Sequence, residues 1–300
     1  MERAENYMEV LKSCPVCDAS ETRLFLECKD YTVSQETFKI VECAACGFKF
    51  TNPRPDENKL GDYYKSENYI SHSNTNKGFI NSAYQAVRKY TLLQKLKLIS
   101  KFYKTGKLLD IGCGTGEFLK TFKDAKWETT GIEPNEDARK MAIQNYGLDV
   151  KGEEGLKDLA PESFDVITMW HVLEHVPHLN ERIDDLKRLL KPKGIIVVAV
   201  PNCSSLDAKK YGAHWAAYDV PRHLYHFIPK DIETLFRKHG FTVFRTLPMV
   251  FDSFYVSMLS EKYKSDKSGI ISALWTGLRS NISALKSGKT YSSQIYLIRK

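Results

Sequence analysis

Lys107-Leu108-Leu109-Asp110-Ile111-Gly112-Cys113-Gly114-Thr115-Gly116 decides the fold of this chain. A short apolar run ends at an acidic residue and passes into three glycines spaced two apart, with a helical pattern beginning at Glu117. Glycines let a backbone come close to a ligand, and the start of a helix offers unpaired N–H groups. The spacing is G-x-G-x-G rather than the G-x-G-x-x-G of dinucleotide folds. Further on, Thr130-Gly131-Ile132-Glu133 places a carboxylate at the end of a second strand, 17 residues after Gly116. A carboxylate there can accept from both hydroxyls of an adenosine ribose; the alternative is a helix N-terminal carboxylate beside Pro134 and Asn135.

Outward from this core the pattern alternates short apolar strands with amphipathic helices, which predicts a doubly wound α/β fold around a parallel sheet. Seven strands are expected near 107–111, 128–132, 148–151, 164–169, 194–199, 241–247 and 292–299. Helices are expected near 116–125, 136–146, 179–191 and 230–239. Leu92, Leu96, Ile99 and Tyr103 share one face of a preceding helix. Ile271, Leu274, Leu278, Ile282 and Leu285 recur at three- and four-residue steps in a late helix bordered by Lys267, Arg279 and Lys286. Such a stripe is expected to pack on the domain; the alternative is a cover over a pocket or a foothold on an anionic membrane, with Trp275 at the interface.

Upstream, Cys14-Pro15-Val16-Cys17 and Cys43-Ala44-Ala45-Cys46 form two C-x-x-C pairs. Two such turns supply the four thiolates of a closed tetrahedral zinc site, and Gly47 suits the tight bend after the second. The alternatives are reduced, partly buried cysteines or a redox pair, although no βαβ pattern surrounds either motif. Cys28 lies between the pairs without a partner at ligand spacing. The expected organisation is a zinc ribbon at 1–55, a linker or cover at 56–84 (rich in Tyr, Asn and Ser from Tyr63 to Ser82) and a catalytic domain at 85–300.

The chain has 300 residues, 42% of them hydrophobic, and a formal charge of +7, to which residues 261–300 contribute eight Lys or Arg against two acids. Charge of this kind keeps a surface solvated and selects no substrate by itself. The absence of a long uncharged apolar run or a secretory leader pattern leads to the expectation of a cytoplasmic protein.

In combination, Asp110–Gly116, Glu133, and Phe164-Asp165-Val166-Ile167 leading into His171-Val172-Leu173-Glu174-His175-Val176 resemble the motif series of class I S-adenosylmethionine-dependent methyltransferases, over roughly residues 85–250. The nearest likeness is to ubiquinone-biosynthesis O-methyltransferases and related small-molecule enzymes. It implies a Rossmann-like seven-stranded sheet, with Asp110, Gly112, Gly114 and Gly116 holding the methionine portion of S-adenosylmethionine, Glu133 the ribose, and Trp170 flanking the adenine or sulfonium. The cysteine module with Asn52-Pro53-Arg54-Pro55 and Tyr63-Tyr64 is similar to the N-terminal region of sugar C-methyltransferases, which continue into a C-terminal domain for which this chain has no room. In the ubiquinone-type enzymes the segment at 171–175 is Glu-x-x-Glu-His and is associated with a divalent metal. Here His171 replaces the first Glu, which argues against magnesium because hard cations prefer oxygen.

His171 is a candidate general base, with Glu174 and His175 either converging on it or ordering the loop. His223 is a second candidate base. It lies in Pro221-Arg222-His223-Leu224-Tyr225-His226-Phe227, which with His214 to Asp219 reads as a substrate pocket or as a structural loop; Arg222 could hold a carboxylate or phosphate. The expected reaction is methyl transfer to an oxygen, carbon or nitrogen of a small molecule such as a nucleotide-linked sugar or a natural-product intermediate. An RNA methyltransferase with a zinc recognition module is the rival reading, opposed by the absence of an Asn-Pro-Pro-Tyr-type motif after the fourth strand. A non-catalytic binding protein is the third, opposed by the intact glycine loop and Glu133.

Overall fold

The computed structural model describes residues 7–64, 79–265, 269–286 and 290–300. Residues 65–78 of the expected cover segment and Lys267 lie outside them. The strands are β1 (Met8–Glu9), β2 (Thr22–Lys29), β3 (Thr37–Cys43), β4 (Lys49–Thr51), β5 (Arg54–Pro55), β6 (Lys107–Ile111), β7 (Glu128–Ile132), β8 (Asp149–Lys151), β9 (Phe164–Trp170), β10 (Leu190–Pro201), β11 (Tyr225–His226), β12 (Thr242–Pro248) and β13 (Ser293–Arg299). The main helices are α1 (Phe79–Ile99), α2 (Glu117–Asp124), α3 (Glu136–Tyr146), α4 (Leu179–Leu189), α5 (Leu206–Tyr211), α6 (Pro229–Lys238), α7 (Asp252–Lys264) and α8 (Ile270–Lys286).

The large sheet has seven strands in the order β12-β13-β10-β9-β6-β7-β8. Strand β6 runs parallel to both β7 and β9, with Asp110 beside Gly131 on one side and Thr168 on the other. Local chemistry explains the helix starts. Asn135 caps α3 by accepting from the Ala138 N–H at 2.9 Å, and Gly147 ends it with φ of 58°. Pro229 opens α6, where the Asp231 carboxylate accepts from the Ile228 N–H at 2.9 Å. Helix α2 buries Phe118, Leu119 and Phe122, a face repeating every three to four residues.

The contacts divide the chain into two interleaved units rather than at the sequence boundaries near 55 and 85. One holds Glu67–Trp170, Glu181–Val197 and Ile298–Lys300; the other holds Met1–Ser66, His171–Asn180 and Val198–Leu297. The ribbon is therefore no isolated module. Its sheet runs β11-β4-β3-β2, and β11, nearly 180 residues after β4, pairs antiparallel with it, Tyr225 opposite Phe50. Tyr225 and Phe227 are buried with Phe48 and Phe50, their rings 5.5 to 6.2 Å apart between centroids. This aromatic cluster gives half of the expected substrate loop a structural task.

Two features depart from expectation. Helix α7 carries no clear apolar stripe and was not anticipated; it buries Ser253, Ser257 and Ser260 together with Val256 and Glu261. The expected stripe of α8 faces outward: Ile271, Leu274, Leu278, Ile282 and Leu285 are exposed, while Ala273, Thr276, Gly277, Ser280 and Ala284 are buried. The reason is close helix packing. A Cβ on Gly277 would lie 2.7 Å from the Phe254 ring and 3.0 Å from its backbone, so only small residues fit against α7.

Candidate active site

The glycine turn after β6 is built as the spacing demands. Gly112, Gly114 and Gly116 have φ of 73°, 54° and 88°, a region costly for other residues. A Cβ on Gly116 would strike Leu148 at 2.6 Å and Ala142 at 2.9 Å, so this glycine serves packing. Gly114 differs: a Cβ there would meet nothing within 4 Å among the described residues, leaving an open cradle along the backbone. Beside it, Glu133 is buried, and its two oxygens accept from the Gly114 N–H at 2.8 Å and the Asn135 N–H at 2.9 Å. Burial raises its pKa, opposed by those two N–H groups. Its carboxylate is oriented from behind, with lone pairs remaining for further donors.

Asp110 is enclosed. Its carboxylate accepts from the Thr168 hydroxyl at 2.5 Å, and burial pushes its pKa up to about 7. Trp170 ends β9 and stacks edge-on against Phe118, with the Lys95 ammonium 3.8 Å over its ring. The indole Nε1 is buried and has no hydrogen-bond partner among the described residues, an orphan that a ligand could satisfy. Lys95 was not singled out from sequence because a lysine on an amphipathic helix carries no motif.

The second unit gathers the histidines. His171 takes φ of 56°, unusual outside glycine. Its Nδ1 lies 3.3 Å from Glu174 Oε1 and its Nε2 3.1 Å from Asp252 Oδ2. Burial works against its charge, but the two carboxylates prevail and push the pKa up to about 10. The base role expected for His171 does not fit this geometry, since an imidazolium flanked by two carboxylates has no lone pair to offer near neutral pH. Asp252 is the partner that sequence reading missed; it stands 81 residues away with no motif around it.

Because the folded pKa of His171 lies above the ordinary value of 6.5, its stabilising contribution is complete below about pH 6.5 and fades as pH rises towards about 10. The difference in Tm between the parent and His171→Gln should therefore be largest near pH 6 and vanish near pH 10. Thermal denaturation across that range checks it, and a pH-independent difference would remove the ion pair.

His175 and His223 are held in one tautomer. Nδ1 of His175 lies 3.0 Å from the Arg222 carbonyl and Nδ1 of His223 lies 2.9 Å from the Ala217 carbonyl. Carbonyls only accept, so in the neutral rings both Nδ1 atoms carry the proton and both Nε2 atoms hold the lone pair. Burial lowers the pKa of His175 to about 4. The rings meet edge to face at 4.5 Å. Glu174, fully buried, brings a carboxylate oxygen within 4.8 Å of both histidines, a spacing that a cation could share.

Arg222 does not serve the anion-binding role expected of it. Its guanidinium is buried, donates to both oxygens of Asp219 at 3.0 and 2.7 Å, and also reaches Asp30 Oδ1 at 2.9 Å and the Tyr63 carbonyl at 3.1 Å. Four of its five N–H groups are thereby used inside the fold.

The four cysteines converge. Cys14 and Cys46 sulfurs are 3.6 Å apart and those of Cys17 and Cys43 3.5 Å, with all four within 4.8 Å of one another. Zn–S bonds of about 2.3 Å imply sulfur separations of about 3.8 Å in a tetrahedron, so the set matches a closed site. Gly47, at φ of 82°, donates to the Cys43 carbonyl at 2.9 Å and closes the second turn. Cys28 stays outside the set, buried in the core.

A mostly parallel seven-stranded sheet, a glycine turn and a strand-end carboxylate beside that turn define a Rossmann-like methyltransferase fold. Residues 84–246, more than half of the chain, match the family model described as "Methyltransferase domain". The chain belongs to that family, the class I S-adenosylmethionine-dependent methyltransferases. It is 37% identical over 108 residues to the ubiquinone biosynthesis O-methyltransferase of Haemophilus ducreyi, covering 32% of this chain and 45% of that one. It is 30% identical over 152 residues to the enzyme of the same name from Maricaulis maris, covering 46% and 59%. The chain thus spans about half the length of these curated relatives. Among solved structures, magnesium protoporphyrin IX methyltransferase from Synechocystis with bound SAH superposes with a TM-score of 0.53 at 16% identity, covering 82% of this chain and all of that one. At that identity the likeness concerns the fold.

Proposed function

We propose that this chain transfers a methyl group from S-adenosylmethionine to a hydroxyl oxygen of a small-molecule acceptor. The observation that carries the reading is Glu133, locked by the N–H groups of Gly114 and Asn135 beside a glycine cradle with open space. These residues fit the cofactor: Glu133 would accept from the ribose hydroxyls, Gly114 would admit the methionine portion, and Trp170 would supply an aromatic wall with a spare N–H. When bound, S-adenosylmethionine supplies an electrophilic methyl on a positively charged sulfur. The names of the curated relatives support an oxygen acceptor.

On the protein side, His223 is the base we assign, with Nε2 carrying the lone pair and Nδ1 anchored on the Ala217 carbonyl. His171, charged and clamped by Asp252 and Glu174, would order the loop after β9. Positioning carries most of a transfer of this type, so the base matters to the extent that the acceptor must lose a proton. We also assign one structural zinc ion to Cys14, Cys17, Cys43 and Cys46.

Glu133→Ala is expected to weaken S-adenosylmethionine binding by about 1–3 kcal/mol, the cost of lost hydrogen bonds to a charged group, with the fold intact. Titration calorimetry with parent and variant measures this directly. Affinity unchanged by the substitution would take Glu133 out of the site.

A further inference from the structure

We propose that the outward face of α8 docks on an anionic lipid bilayer. Ile271, Leu274, Trp275, Leu278, Ile282 and Leu285 are all exposed, Ile271 and Leu285 by 85% and 73%. With 3.6 residues per turn, these side chains fall within an arc of less than about 140°. The helix cannot turn to bury them, because Gly277 already sits against the Phe254 backbone and the opposite face is small throughout. Six large apolar side chains on one exposed helix face form the kind of patch that soluble surfaces avoid unless something covers it. Nearby, α7 adds exposed Tyr255 and Met258.

Charge selects the occupant. Arg279 and Lys286, both exposed, flank the stripe, and Arg279 joins Lys209 and Lys210 around an open cleft of about 450 Å³. The nearby acids are consumed inside the fold: Asp207 is buried and accepts from Trp215, Ser280 and Ser292, and Glu261 is buried and accepts from the Tyr211 and Ser272 hydroxyls. A second copy of the chain meeting this face about a two-fold axis centred on the helix would set Arg279 against its own copy, whereas anionic headgroups complement it. Trp275 suits the boundary between headgroup and acyl chain. No described helix is long and apolar enough to cross a membrane, so the contact would lie in the interface plane. This surface stands independently of the acceptor assignment.

The test is co-sedimentation of the full chain with vesicles of phosphatidylcholine alone or with about one-third phosphatidylglycerol, at low and high salt. Binding to the anionic vesicles that weakens with salt, with a blue shift of tryptophan emission, is expected. The Leu274→Ser/Leu278→Ser variant should bind at least about tenfold more weakly, with unchanged Tm and unchanged S-adenosylmethionine titration. Absence of sedimentation with anionic vesicles at low salt would overturn the proposal, as would equal binding by the variant. Sedimentation equilibrium showing a dimer that the variant converts to monomer would assign the face to a second copy instead.

Discussion

Removing metal from the chain with a strong chelator, or replacing Cys43 by Ser, is expected to unfold the ribbon. The four sulfurs already lie at tetrahedral spacing, and structural zinc contributes on the order of 10 kcal/mol of apparent binding free energy near neutral pH, which becomes folding free energy where the apo site does not persist. Leu24 and Phe25 on β2 are exposed, whereas Phe38, Ile40, Phe48 and Phe50 are buried, so unfolding should begin at the turns Cys14–Cys17 and Cys43–Cys46. The damage should spread, because β11 pairs with β4 and Asp30 of the ribbon holds Arg222, the neighbour of His223. Elemental analysis should find one zinc per chain, and thermal denaturation should show a large drop in Tm after chelation. A metal-free preparation that melts at the parent temperature, with all four thiols freely reactive, would discard the site.

Replacing His223 by Ala should lower turnover by about 100-fold or more, while S-adenosylmethionine affinity changes little. Neither Glu133 nor the glycine turn uses this side chain, so a loss confined to turnover separates proton transfer from cofactor binding. His171→Ala should act through the pairing with Asp252 and Glu174, and its effect on stability should follow pH. Steady-state kinetics on a hydroxylated acceptor, together with calorimetry, gives both numbers. A divalent-cation requirement abolished by Glu174→Gln would make His223 a metal ligand rather than a base. Normal turnover by His223→Ala would leave positioning alone to account for the chemistry.

Much of this architecture is local in origin, which is why it could be read from residues. Strands near 107–111 and 164–169 follow from short apolar runs, and α3 and α6 follow from their caps and stripes. The glycine conformations and the position of Glu133 after β7 are likewise consequences of neighbouring residues, since a turn and the strand ahead of it are set within about twenty positions. The cysteine cluster is legible for a related reason: a C-x-x-C turn carries its geometry with it.

What the sequence determined by itself, then, is the methyltransferase sheet, the cofactor-type turn and the four-sulfur set. Tertiary structure alone decided which polar groups are consumed inside the fold. Arg222 looks free in sequence and is spent on Asp30 and Asp219; His171 looks like a base and is charged by Asp252; Tyr225 and Phe227 look like pocket residues and complete the ribbon. The outward turn of α8 belongs here too, because periodicity shows that a helix has an apolar face but not which face its neighbour will accept, and against α7 the choice fell to Gly277 and its small companions. Partners distant in sequence leave no periodic trace, so burial and charge pairing emerge only when the chain is folded.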